Sequence, residues 1–273
     1  MSAAGVRLFQ RAVYAWLMLY VFALLLLGDD AWVSAPVKVF SSASGWLVRL
    51  QAGVNGFPTV VCMLIGAVVV GTALSQMRRQ RWWLGLVVWL LFRVITHRTW
   101  LASNGGVQLM ENMLIWCALM GQGTHPFIGA SAFWIARLQL LLAYGAAAAH
   151  KCTGTAWLDG SAMMMVARDP VFNLHWLATS PGLCAVLTYC TLAFMTLFPL
   201  VVWWSPSRRI FLLIGVAFHL ATAIFMGIPQ MGFAFIACYA LWLDDESVQW
   251  LATIPARMSR RITSLPSPGP LAR

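Results

Sequence analysis

The sequence predicts an all-α fold: a polytopic transmembrane helical bundle of about eight spans, both termini cytoplasmic, with short interfacial helices on the exterior side. Three observations carry that prediction. Of 273 residues, 61% are hydrophobic and 10% charged, with a mean hydropathy of +0.78, where a soluble domain carries about 25% charged residues. Eight apolar segments approach the roughly 20 residues that cross a hydrocarbon core. The arginines gather at segment ends, on alternate sides.

The first segment runs from about Leu8 to Gly28, after Arg7 and Arg11. It has the outline of a signal peptide, but no small-x-small cleavage site precedes Asp29 and Asp30, so it reads as a retained span. The second, about Phe57 to Met77, ends at the basic run RRQR, Arg78 to Arg81. The third, about Trp82 to Ala102, and the fourth, about Val107 to Gly121, are joined by the turn SNGG, Ser103 to Gly106. The remaining four run about Ala132 to Lys151, Pro181 to Trp204, Ile210 to Met226 and Met231 to Leu243, the fourth and eighth being short.

With the N-terminus inside, Arg7, Arg11, RRQR, Arg208, Arg209 and the tail residues Arg257, Arg260, Arg261 and Arg273 all fall on the cytoplasmic side. Lys38, Arg49, Lys151 and Arg168 fall outside, beside Asp29, Asp30, Asp159 and Asp169. The chain thus obeys the positive-inside rule of a plasma (inner) membrane protein. The net charge of +10 is topological, spread over segment ends and not along one face, so no nucleic-acid partner is implied. Many of the 15 tryptophans stand at segment ends, among them Trp82, Trp83, Trp157, Trp203, Trp204 and Trp242, as in an aromatic belt.

Residues 1–245 read as a single membrane domain and 246–273 as a basic, disordered cytoplasmic tail. Between Cys152 and Ser180, the stretch DGSAMMMVAR is followed by DPVFNLHWLA, in which Asp169 is placed to cap a helix starting at Pro170. Both stretches are amphipathic, and together they form a lid over the outer mouth of the bundle. The six cysteines lack any CxxC, so neither a disulfide framework nor zinc is expected. No metal site is predicted, since His97, His125, His150 and His175 show no ligand spacing.

Ionisable groups within spans cost about 2.5 kcal/mol or more, so they mark a bundle interior or a wet cavity. Arg93, His97 and Trp100 share one helix face. Gln108, Glu111 and Asn112 share another, and Glu111 pairs with Arg93 or Arg98 as structural glue. In the fifth span Arg137, Tyr144 and Lys151 recur every seven residues, one stripe with Arg137 and Lys151 about 21 Å apart along the axis. The run Gly145 to Ala149, GAAAA, admits a second helix or a flat ligand close to the backbone. Two readings of Lys151 stand side by side: an interface residue that snorkels, or a partly desolvated general base at the mouth of a greasy cavity. His219, alone in the seventh span, is either a packing residue or one that orients a polar ligand head.

The segment RLQLLLAYGAAAAHKCTGTAWLDGSA, Arg137 to Ala162, resembles the lysine segment of the HTTM family, the membrane domain shared with vitamin K-dependent gamma-glutamyl carboxylases. The matching positions are Tyr144, Gly145, Lys151, Gly154, Trp157 and Gly160-Ser161-Ala162. AFHLATA around His219, the Pro199 and SPSRR end of the sixth span, and the Asn104-Gly105-Gly106 turn are similar to further family features. In the carboxylases the lysine deprotonates reduced vitamin K, and oxygen then turns the quinol into an alkoxide that takes a proton from glutamate. The resemblance implies a quinol or other isoprenoid lipid as cofactor, without metal, and Lys151 as the base. The carboxylases also carry a large lumenal domain, for which no counterpart is seen here. Chains of this length also resemble the bacterial membrane component that helps mature the sporulation-delaying peptide toxin.

Two functions follow as expectations. One is a membrane-embedded modifying enzyme with Lys151 and His219 catalytic, and with Tyr144, Trp157, Asp159, Gly160, His97, Arg93 and Asn104 around the lipid or substrate. The other is a non-catalytic maturation or export partner of a secreted hydrophobic peptide. Transport finds no support, since no inverted repeat with broken helices is visible.

Overall fold

The computed structural model describes residues 2–26, 59–99, 103–172 and 174–253. The elements are α1 Ala3–Leu26, α2 Thr59–Arg78, α3 Trp82–Arg98, α4 Gly105–Leu119, α5 Pro126–Cys152, α6 Thr155–Leu158, α7 Ala162–Arg168, α8 Pro181–Val201, α9 Ser205–Phe225 and α10 Pro229–Tyr239, with 3-10 turns at Leu177–Thr179 and Ala240–Trp242. No strand occurs among the described residues. The predicted loop Asp29 to Gly56, Trp100 and the tail beyond residue 253 lie outside them, and residues 246–253, assigned to the disordered tail by the sequence, are helical.

Among the described residues five helices, α1, α2, α5, α8 and α9, are long and apolar enough to cross a membrane by length and composition. The other three predicted spans are shorter helices, with 17 residues in α3, 15 in α4 and 11 in α10. At 1.5 Å per residue α10 is about 16 Å long, half of a typical hydrocarbon core. Burial explains how so short a helix is tolerated: nine of the 15 residues of α4 and six of the 11 of α10 are buried, against five of 20 in α2. The two short helices sit inside, α10 packed on α1, α4 and α9, and α4 on α3, α5 and α10. A helix enclosed by protein need not reach both membrane faces.

Local signals set the helix starts. Pro126, Pro181 and Pro229 open α5, α8 and α10, where the missing N–H would be unpaired in any case. Lipid-facing and protein-facing positions are both apolar, so close packing relies on small residues. A Cβ at Gly106 would overlap the Met231 backbone, one at Gly232 the His219 carbonyl, and one at Gly215 the Tyr239 hydroxyl. The GAAAA run does not play that part at its glycine, because a Cβ at Gly145 would meet nothing within 4 Å.

Buried amides tie the first four helices together. Gln10 donates to the Cys117 carbonyl at 3.1 Å, and Gln76 donates to the Arg81 carbonyl at 2.8 Å while its own oxygen accepts from the Arg81 amide at 2.8 Å. At the same end Asp245 accepts from the Ser2 hydroxyl at 2.7 Å and the Ala4 amide at 3.1 Å, fixing the start of α1 against the chain after α10.

At the other end α7 and the Leu177–Thr179 turn pack on α8 around Ala167, Leu174, Leu177 and Cys184, with Met226 from the end of α9. This is the lid. The helix expected from Pro170 is not formed: Asp169 accepts from the Val171 amide at 2.9 Å, and that local bond closes a turn instead.

Gly215→Ala is expected to lower stability by about 1–3 kcal/mol through overpacking against Tyr239, while Gly145→Ala is neutral or slightly stabilising. Thermal unfolding of both variants in one mild detergent measures the contrast.

Candidate functional site

The helix α5 carries the stripe on which the candidate residues lie. Its buried face is Phe133, Ala136, Leu140, Tyr144 and Ala148, and Lys151 continues that line at the helix end. Tyr144 is fully enclosed, with its ring against Phe194, Phe198 and Phe235. Its hydroxyl lies 2.6 Å from Nε2 of His219 in α9 and 2.5 Å from the hydroxyl of Tyr239 in α10. The three side chains form one buried polar node joining α5, α9 and α10. The His219 ring stacks on Phe235 at 4.5 Å, and its Nδ1 is buried without a hydrogen-bond partner among the described residues.

Lys151 lies seven residues beyond Tyr144, about 10 Å further along the axis. It is half-buried, and its Nζ rests 4.8 Å from the centre of the Trp157 ring, which α6 brings back over the helix end. No carboxylate pairs with it among the described residues. Asp159 is turned to another use: its Oδ1 accepts from the Ser161 amide at 2.9 Å and hydroxyl at 2.6 Å, and these bonds hold its carboxyl below the usual range. Gly160 takes φ 83° to make that turn, and the Tyr189 ring closes on it. Tyr189 donates to the Leu158 carbonyl at 3.1 Å, pinning α6 to α8.

No family model, curated protein or solved structure matches the chain.

The predicted residues thus divide into three places. Tyr144 and His219 meet in the node, joined by Tyr239, which sequence reasoning did not select; its only advance signal was a tyrosine inside an apolar segment. Lys151, Trp157, Asp159 and Gly160 gather at the end of α5 and around α6, with Asp159 exposed. Arg93, His97, Arg98, Asn104 and Glu111 lie at the junction of α3 and α4, and their roles there are structural where the contacts define them. Arg93 forms the ion pair with Glu111, which also accepts from the Thr96 hydroxyl at 2.9 Å. Arg98 is buried beside Cys62 of α2. Asn104, expected near a ligand, is the N-cap of α4 and accepts from the amides of Gly106 and Val107 at 2.9 and 3.3 Å.

A cavity of about 540 Å³ opens between α1 and α10, lined almost entirely by apolar groups that include Ala12, Ala15, Trp16, Leu19 and Phe233. Its walls contain none of the predicted site residues. Trp16 fixes its shape by donating to the Gln230 carbonyl at 2.8 Å.

Tyr144→Phe removes the hydroxyl at the centre of the node and strands both partners. Unfolding in detergent is expected to show a loss of about 1–3 kcal/mol, and the Tyr144→Phe/Tyr239→Phe pair a coupling of at least about 0.5 kcal/mol. Additive losses would mean that the three groups do not act as one unit.

Proposed function

We propose that this is a multi-pass plasma-membrane enzyme that uses a quinol or other isoprenoid lipid, with Lys151 as its base on the exterior side and both termini in the cytoplasm. The observation that carries the reading is the setting of Lys151: a half-buried amine held against Trp157 at a helix end, with no carboxylate paired to it among the described residues. A structural lysine at such a place is ordinarily accompanied by an acid or extended into water. The resemblance of the Tyr144 to Ala162 segment to the HTTM lysine segment points to the same residue.

In this reading the neutral amine takes the proton of a quinol hydroxyl, leaving a quinolate beside the ammonium. Trp157 holds the ammonium over its ring. The node below it, Tyr144, His219 and Tyr239, sets the positions of α5, α9 and α10, and so the place from which Lys151 acts.

A second reading, a binding partner for a secreted hydrophobic peptide, is favoured by the apolar residues that the lid exposes, Leu158 at 57%, Met165 at 63%, Val171 at 79% and Trp176 at 57%. Such a surface takes either the membrane interface or an apolar peptide.

The deciding comparison is Lys151→Ala against Lys151→Arg in nanodiscs supplied with a hydroquinone and dioxygen, the oxidant that consumes the quinolate once the base has formed it. A base is lost in both variants, and consumption of the hydroquinone should fall by about 10²–10⁴-fold in each, with melting temperatures unchanged. A snorkelling lysine is replaced by arginine without loss, because arginine keeps the stem and the charge but does not give up its proton. Wild-type protein that consumes no quinol, yet crosslinks a hydrophobic peptide through the lid, would favour the second reading.

A further inference from the structure

About 21 Å along α5 from Lys151, the far end of the bundle holds a second polar cluster that the proposed reaction does not use. Arg137 donates Nε and Nη2 to the Leu241 carbonyl at 2.9 and 2.7 Å, and its guanidinium carbon lies 4.4 Å from the ring centres of both Phe133 and Trp242. Arg208, in the first turn of α9, donates Nη1 to the next carbonyl, that of Trp242, at 3.3 Å. Two guanidiniums are therefore anchored on successive carbonyls of one turn, where like charges repel.

The nearby carboxylates are engaged elsewhere. Asp244 and Glu246 lie 3.8 and 3.6 Å from Arg209, and Asp244 also caps the next helix by accepting from the Ser247 amide at 2.8 Å. Among the described residues no carboxylate lies within ion-pair distance of Arg137 or Arg208.

Two buried groups complete the pattern. The indole N–H of Trp242, a residue only 2% exposed, and the Nε–H of Arg208 have no hydrogen-bond partner among the described residues. Both are donors. A group that completes the cluster accepts hydrogen bonds, two neighbouring guanidiniums favour one that also carries negative charge, and phosphate oxygens do both. The exposed Trp203 and Trp204 beside it are of the type that marks headgroup depth.

We propose that Arg137, Arg208 and Trp242 bind the phosphate of an anionic phospholipid headgroup. The site is independent of Lys151 and of the reaction proposed there. Basic pockets between transmembrane helices are a recurrent way of holding such lipids, and here the lipid also neutralises two cations that the fold has brought together.

The test is native mass spectrometry of the full chain released from nanodiscs of mixed phosphatidylglycerol and phosphatidylcholine. Wild-type protein is expected to retain phosphatidylglycerol preferentially. Arg208→Gln should reduce that preference about fivefold, the factor that corresponds to about 1 kcal/mol per basic side chain at a membrane surface. Arg209→Gln, whose charge is already paired, should leave it unchanged. Should Arg208→Gln fail to fold, Trp242→Phe tests the same site, since it removes the N–H and keeps a ring under Arg137. Equal retention of the two lipids by the wild type, or an undiminished preference in the folded variants, would overturn the proposal. So would thermal protection by inorganic phosphate as large as that by phosphatidylglycerol, which would assign the cluster to the free anion.

Discussion

A helix of 11 residues enclosed by its neighbours needs partners for the carbonyls just beyond its end, and much of the surrounding arrangement supplies them. Unpaired buried carbonyls are costly. Arg137 and Arg208 cover the Leu241 and Trp242 carbonyls beyond the end of α10, and Trp16 adds a bond to the Gln230 carbonyl near its start. Gly215 and Gly232 then bring α9 and α10 close enough to seat Tyr239 and His219 against each other. The polar node with Tyr144 is a product of the same close approach.

The lid depends on a different set of forces. Its residues Ala167, Leu174 and Leu177 bury against Cys184 at the start of α8, and short local bonds at Asp159 and Asp169 set its turns. These elements determine where Trp157 lies, and through it the position of the Lys151 amine. The candidate base and the buried node thus share one helix: the node sets where α5 runs, and Trp157 sets where the amine at its end rests.

The helical class was legible in the sequence because its apolar runs have the length of membrane-spanning helices, and five of the described helices keep that length and composition. The shortness of α4 and α10 was legible too, since the fourth and eighth apolar segments fall below a spanning length; their enclosure was not, because interior helices and lipid-facing helices are equally apolar, and hydropathy does not distinguish protein from lipid as a neighbour. The pairing of Glu111 was legible only to within a choice of Arg93 or Arg98; the partner is Arg93, and Arg98, also expected in the pair, lies buried beside Cys62 instead. The capping role of Asn104 was not legible as such, because a cap and a ligand contact ask for the same amide side chain. Tyr239 and the buried glutamines Gln10 and Gln76 were passed over because the search favoured charge, whereas neutral hydrogen-bonding groups tie these helices together.

The open Nδ1 of His219 gives the node a polarity. A neutral imidazole carries one proton. When it sits on Nδ1, Nε2 accepts from Tyr144, and Tyr144 in turn accepts from Tyr239. When it sits on Nε2, the order reverses, with Tyr144 donating to Tyr239. Whatever meets Nδ1, whether donor or acceptor, therefore sets the direction of both tyrosine hydroxyls, and three helices of the bundle register its chemical character through the orientation of two O–H bonds.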